Sequence, residues 1–92
     1  MKAEIIGKRI RPNIDKTTGE VKGFFNELHY IEVKEMRPSS KEEECTGRKV
    51  GFITTGINIK DVKIGEIYNL DFEVRTFNEK SSVRLVDIEL IG

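Results

Sequence analysis

The strongest constraint on the fold is a regular alternation of apolar and polar side chains in residues 67–91. A period of two places apolar side chains on one face of a β-strand and polar ones on the other. The alternation runs through residues 67–75, stops at a polar turn in residues 78–82 and resumes in residues 83–91. The sequence therefore predicts a long β-hairpin whose buried side chains are Tyr68, Leu70, Phe72, Val74, Leu85, Ile88 and Leu90.

The returning arm of this hairpin changes phase between Leu85 and Val86. A β-bulge at this point would bring both apolar sets to one face, because one extra residue shifts the register by one. An isolated two-stranded ribbon is only marginally stable in water, so we expect other strands to cover the apolar face.

The chain before the hairpin contains a first strand in residues 2–11 and a second, long strand in residues 21–36. Pro12 and the turn chemistry around Asp15 and Gly19 indicate a protruding loop or hairpin wing across residues 12–23. In the second strand the apolar phase changes after Tyr30, which indicates either a bulge or a strand that pairs with two neighbouring strands.

Residues 37–47 have no periodicity and predict a surface loop rich in Glu and Ser. Residues 49–55 predict a short third strand with Val50 and Phe52 directed inward. Residues 57–65 are ambiguous between a loop and one helical turn, and three of them are candidates to plug one end of a barrel: Ile59, Val62 and Ile64.

Short strands with frequent turns and little helical periodicity predict one all-β domain across residues 1–92. At this size the best fit is a five- to six-stranded OB-like barrel with a protruding β-hairpin wing. We also expect a homodimer, because a small β-domain with surplus aromatics and exposed strand edges gains stability from a shared interface.

Composition argues against several functions. The 92 residues include 16 Lys and Arg and 16 Asp and Glu, so the chain lacks the strong net positive charge typical of nucleic-acid-binding domains. Cys45, the only cysteine, cannot form an intramolecular disulfide and fits a reducing cytoplasm. No apolar stretch reaches the roughly 18 residues that a membrane span needs. We expect a cytoplasmic protein that does not contact membranes.

Catalysis has little support in the sequence. His29 is the only histidine and lies in the middle of a predicted strand, where a structural or surface role is the more common one. Glu43 and Glu44 precede Cys45 and disfavour its thiolate form. One His and one Cys do not make a recognisable zinc site. We therefore expect a protein that is not an enzyme and holds no metal or cofactor.

The distribution of charge along the chain is more informative about function than the net charge. Residues 1–24 carry a net charge of +3, whereas residues 66–92 carry −3.

Phe24 and Phe25 are adjacent, so at most one of them can belong to the core. Phe77 lies at the tip of the last hairpin. Cations interleaved with exposed rings suit a single-stranded nucleic acid, because cations neutralise phosphates and rings stack on bases. The candidates are Lys8, Arg9, Arg11, Lys16, Lys22, Phe24, Phe25 and Phe77. The alternative is that Phe25 and Phe77 pack against loops or a dimer interface.

The layout resembles the small single-stranded-DNA-binding (helix-destabilising) proteins of filamentous phages. The resemblance rests on the basic segment after the first strand, on residues 24–30 (FFNELHY), on residues 65–68 (GEIY) and on residues 82–90 (SVRLVDIEL). It implies an OB-type dimer that coats DNA, and it adds Lys49 to the candidate DNA contacts. The chain departs from the family in its final strand, where Asp87 and Glu89 stand in place of basic residues.

Two functions follow as hypotheses. The first is non-specific binding of single-stranded DNA, or of RNA, by a protein of a phage, plasmid or other mobile element. The second is a small β-barrel interaction module that binds a protein partner and no nucleic acid.

Overall fold

The computed structural model describes residues 1–91, in which five antiparallel strands form one sheet. Their order across the sheet is β3-β2-β1-β4-β5. The all-β expectation is confirmed. The strands are β1 (Lys2–Ile14), β2 (Val21–Glu35), β3 (Arg48–Thr55), β4 (Ile67–Phe77) and β5 (Lys80–Leu90).

The sheet is strongly curved but not closed. Cα atoms of the edge strands β3 and β5 approach within 8 Å, yet no hydrogen-bonded ladder joins these two strands in residues 1–91. A cavity of about 400 Å³ lies between them and is lined in part by Tyr30, Phe72 and Val83. The closed barrel and the hairpin wing are therefore not confirmed. Within the same residues, no helix has the length and apolar character needed to span a bilayer.

The predicted β4–β5 hairpin is confirmed together with its bulge. Asp71 pairs with Asp87, but the next residue, Phe72, pairs with Leu85, so Val86 is the extra residue in β5. The bulge puts Leu85 and Ile88 on the same face, as the phase change predicts. The tip is a tight turn in which Asn78 and Glu79 both have positive φ, at 49° and 63°. Such values match the twist of the flanking strands.

The core is small and one loop completes it. The fully or nearly buried apolar side chains are Ala3, Ile5, Leu28, Ile59, Val62, Tyr68, Leu70 and Leu85. Ile59 and Val62 come from the loop between β3 and β4, and their predicted burial is confirmed. Ile64 is 53% exposed, so its predicted burial is wrong.

Two of the predicted hairpin core residues are not buried. Val74 is 65% exposed and Leu90 54% exposed, while Phe72 and Ile88 are half-buried against the core. Leu90 lies at the end of β5, which is an edge strand of the sheet. Val74 lies beyond the short β1–β4 ladder, which joins β1 only to Ile67, Tyr68 and Asn69 of β4. Within residues 1–91, no third strand pairs with the hairpin beyond that ladder, and the face carrying Val74 is left uncovered.

The predicted orientation of β3 is reversed. Val50 and Phe52 are 61% and 67% exposed, and Ile53 packs on the core instead. The cause lies opposite Gly51, where an added Cβ would come 2.7 Å from the Tyr30 hydroxyl. Gly51 must therefore occupy the inward position under Tyr30, and its neighbours in the strand face outward.

The molecule is elongated and thin, with extents of 56 × 38 × 18 Å. Its radius of gyration is 16.2 Å, against about 12 Å for a compact chain of this length. Residues 11–14 of β1 and 21–25 of β2 form a two-stranded projection, which we call the β1–β2 ribbon. It contributes to this shape, because β3 pairs with β2 only from Asn26 onward. Residues 21–25 of β2 pair with β1 alone, so their second edge is unpaired.

We expect Leu70→Ala to lower the free energy of unfolding by about 2–5 kcal/mol, because Leu70 is fully buried and truncation leaves a cavity. Val74→Ala, on the same face of the same strand, should cost less than about 1 kcal/mol. Urea unfolding followed by circular dichroism measures both values. An equal loss of unfolding free energy in the two variants would contradict the conclusion that the core includes Leu70 but not Val74.

Candidate nucleic-acid interface

A bulge in β1 separates its buried half from its exposed half. Ile5 pairs with Tyr30 and Gly7 pairs with His29, so Ile6 is an extra residue in β1. On a regular strand, Ile5 and Arg9 would point to the same side. The bulge reverses the phase, so Ile5 is fully buried whereas Arg9 is exposed on the opposite face.

We call this opposite surface of β1, β2 and β3 the outer face. Register places Arg9 beside Glu27, Arg11 beside Phe25, and His29 beside Phe52. All six side chains share the phase that points away from the core. The outer face thus carries two guanidinium groups, one carboxylate and three rings on neighbouring strands: Arg9, Arg11, Phe25, Glu27, His29 and Phe52.

The rings of the outer face are accessible. Phe25 is 49% exposed and Phe52 is 67% exposed. His29 stacks on Phe52 with 5.6 Å between ring centroids and 24° between ring planes. A nearly parallel aromatic pair on a pleated surface offers the flat, exposed faces on which bases stack.

Glu27 orients the histidine. His29 Nε2 lies 2.7 Å from Glu27 Oε2, a charge-assisted distance when the ring is protonated. The hydrogen bond from His29 lowers the pKa of Glu27, desolvation opposes this shift, and the charges of His29, Arg9 and Arg11 add to it. Glu27 is therefore ionised and is the one anion among the six side chains of the outer face.

Lys8 has a structural position. The bulge turns it inward, where its ammonium donates to the carbonyl oxygens of Val62, Lys60 and Ile59 at 2.7, 2.9 and 3.4 Å. An ammonium group has three donors, and these contacts use all of them. Lys8 thereby holds the loop that completes the core, on the side of the sheet away from Arg9.

Lys16 and Lys22 lie at the end of the β1–β2 ribbon. The predicted turn chemistry is confirmed: Asp15 Oδ1 accepts from the Thr17 amide at 2.8 Å, and Gly19 has a φ of 74°. Lys22 forms an ion pair with Asp15 at 3.1 Å, and Lys16 is exposed in the turn. The Thr17 amide and then Lys22 lower the pKa of Asp15, so this carboxylate partly neutralises the cations of the turn.

The remaining candidates are dispersed. Phe24 is 51% exposed and points to the side of the ribbon opposite Phe25, where Lys60 Nζ lies 5.7 Å from its ring centroid. Lys49 is exposed on β3 near the gap between β3 and β5. Phe77 is 79% exposed at the tip of the β4–β5 hairpin. The structure thus brings together only Arg9, Arg11 and Phe25 of the nine sequence candidates.

Sequence reasoning missed His29 and Phe52 as members of this surface. The sequence pattern predicts that Phe52 points inward, and this is wrong. The position of Gly51 under Tyr30, which turns Phe52 outward, depends on the β2–β3 register and is not visible in the sequence. A signal was present in Glu27 and His29, which flank Leu28 at a spacing of two and therefore share the polar face of β2. That spacing identifies the face, but not the strand beside it.

The other hairpin presents the opposite charge. Asp71 and Asp87 are directly opposite each other across the β4–β5 ladder, and Glu73 and Glu89 are exposed beside them. All four acids are exposed to solvent. Directly opposed like charges repel, so this surface repels phosphate as well. Glu73 pairs with Arg75 at 3.1 Å and lies opposite Arg84. The outer side of this hairpin thus carries four acids against two arginines, and we call it the acidic surface.

No protein-family model, curated protein or solved structure matches this chain. In residues 1–91, no group of three His, Cys, Asp or Glu side chains is arranged to hold a metal ion. The functional interpretation therefore depends on the geometry of the site itself.

We expect Lys8→Met to lower the free energy of unfolding by about 1.5–3 kcal/mol, because it removes charged hydrogen bonds that satisfy loop carbonyls. Lys16→Met is the control, since it removes the same charge from an exposed turn, and it should change stability by less than about 0.5 kcal/mol. Thermal and urea unfolding measure both. Wild-type stability in Lys8→Met would contradict the structural role of the ammonium.

Proposed function

We propose that this chain binds single-stranded DNA without sequence specificity, using the outer face of β1, β2 and β3. Arg9 and Arg11 neutralise phosphates, while Phe25 and the His29–Phe52 pair stack on bases. The observation that carries the proposal is the His29–Phe52 stack across β2 and β3, with Phe52 67% exposed, on the same face of the sheet as the exposed arginines of β1. Exposed rings beside cations are the requirement for sequence-independent binding of single strands.

The strand order supports an OB-like interpretation of the sheet. In an OB-fold, a five-stranded and partly open barrel, the face of strands 2 and 3 and the loops 1–2 and 4–5 bind oligonucleotides. The same face here carries His29 and Phe52, and the two corresponding turns carry Lys16 and Phe77. We propose that the sheet is an open OB-like barrel, with the β1–β2 ribbon as its wing and Phe77 as a further contact.

Two predictions remain predictions: that the protein comes from a phage, plasmid or other mobile element, and that it forms a homodimer. The exposed valines on the inner face of the β4–β5 hairpin, Val74 at 65% and Val83 at 59%, support a partner copy. They lie opposite each other in the ladder, beyond the reach of the core. A protein contact at this hairpin is compatible with nucleic acid on the outer face, because different strands are involved.

Fluorescence anisotropy with a 30-mer of dT should detect binding at ~50 mM salt, and affinity should fall with a log–log slope of about −0.7 per neutralised phosphate. Phe52→Ala should weaken binding by about 1–3 kcal/mol with little change in slope, because it removes a stacking surface. Arg11→Ala should make the slope less negative by about 0.7, because it removes one phosphate contact.

Val86→Ala is the control for Phe52→Ala, since it truncates an exposed apolar side chain on the other hairpin that belongs to neither proposed interface. It should bind as the wild type does. Absence of binding to dT at ~50 mM salt and micromolar protein would reject the DNA proposal in favour of an interaction module. If Phe52→Ala binds dT as tightly as the wild type does, the interface does not lie on the outer face.

Glu27→Gln should raise the affinity for dT about fivefold at low salt, because a charge near a phosphate is worth about 1 kcal/mol in water. The amide keeps a hydrogen-bond acceptor for His29, so the outer face retains its geometry. Glu89→Gln removes the same charge from the acidic surface of β5 and should change affinity far less. Equal gains from the two variants would indicate a net-charge effect without a defined interface.

A further inference from the structure

A cleft of about 300 Å³ lies on the inner side of the β1–β2 ribbon, across the sheet from the outer face. It is formed where Gly23 and Phe24 of β2 meet the loop that follows β3. This volume is at the lower end of the roughly 300–1,000 Å³ range of small-molecule sites. A single nucleotide, rather than a larger ligand, suits a site of this size.

The walls of the cleft offer one ring and two amide side chains. Phe24 is half-exposed and forms one wall. Asn26 is only 6% exposed and donates through Nδ2 to the Ile57 carbonyl at 2.8 Å, while its Oδ1 has no donor in the described residues. Asn58 Oδ1 accepts from the Lys60 amide at 3.0 Å, so its Nδ2 is available as a donor. An acceptor and a donor beside a ring are what the edge and face of a base require.

Lys60 supplies the charge. Its ammonium lies 5.7 Å from the centroid of the Phe24 ring, within the range of a cation–π contact. The ammonium thus occupies one face of the ring when no ligand is bound. Such a contact is weak at an exposed site, so a base and its phosphate can displace the ammonium from the ring.

A single strand can reach both sides of the ribbon. Phe24 and Phe25 are consecutive and point to opposite faces. The edge of β2 beside them is unpaired, because the β2–β3 ladder ends at the pairing of Asn26 with Thr55. A strand stacked on Phe25 can therefore cross this edge and place a neighbouring base beside Phe24.

We propose that the cleft beside Phe24 binds one nucleobase of the single strand, stacked on the ring, while Lys60 meets the adjoining phosphate. This inference rests on the proposed DNA-binding function and extends it to the opposite side of the ribbon. Asn26 and Asn58 contact the edge of the base. The loop residues 56–60 thereby become part of the nucleic-acid interface.

Gly56→Leu tests the site by obstruction. Gly56 lines the cleft, a Cβ at this position would meet no heavy atom within 4 Å, and the backbone does not require glycine. The variant should keep wild-type unfolding and lower the affinity for a 30-mer of dT by at least about fivefold. Phe24→Leu should lower affinity by about 5- to 150-fold through lost stacking. Lys60→Met should make the salt slope less negative by about 0.7.

The outcomes separate this inference from the proposed function. Wild-type affinity in both Gly56→Leu and Phe24→Leu, with Phe52→Ala still impaired, would overturn the cleft and leave the outer face in place. No binding of dT by the wild-type chain would overturn both. Backbone amide shifts at Asn58 and Lys60 on titration with dT, lost in Gly56→Leu, would support the cleft even if Gly56→Leu also affects stability.

Discussion

The fold and the proposed interface both depend on the extra residue at Ile6 in β1. Ile5 and Arg9 are four positions apart, and a regular strand would place them on one side. A regular β1 would therefore either bury an unpaired guanidinium group, which is costly, or expose Ile5. The bulge makes it possible for Ile5 to be fully buried while Arg9 faces solvent. It also turns Lys8 inward onto the loop carbonyls. One residue thus divides the strand into a core half and a charged half.

The loop between β3 and β4 links stability to the proposed binding. Ile59 and Val62 fill the end of a small core, and hydrogen bonds from Lys8, Asn26 and the Lys63–Tyr68 pair hold the loop in place. The same loop contributes Asn58 and Lys60 to the cleft beside Phe24. Changes at Asn26 or Lys8 will therefore alter folding and binding together. Gly56 and Phe24 are cleaner probes of the cleft, because neither belongs to the core.

Much of the fold follows from local patterns, whereas the site depends on register. The phase change at Val86 predicts the bulge in β5, and the chemistry of Asp15 and Gly19 predicts the first turn. The orientation of Phe52 does not follow, because it is set by the fit of Gly51 beneath Tyr30 on another strand. Lys8 shows the same limit: its charge suggests a phosphate contact, but its surroundings are formed by a loop some fifty residues away in sequence. Local periodicity specifies strands, and tertiary pairing decides which face each side chain occupies.

The most direct test is a heteronuclear NMR titration of the chain with a short dT oligonucleotide, with the backbone amides assigned. Binding at the outer face predicts that the largest shifts occur at Arg9, Phe25, His29 and Phe52, with ring-current changes at the His29 side chain. The acidic surface around Asp71 and Asp87 should remain unshifted. Shifts concentrated on β4 and β5, or none at protein concentrations above the micromolar range, would contradict the account.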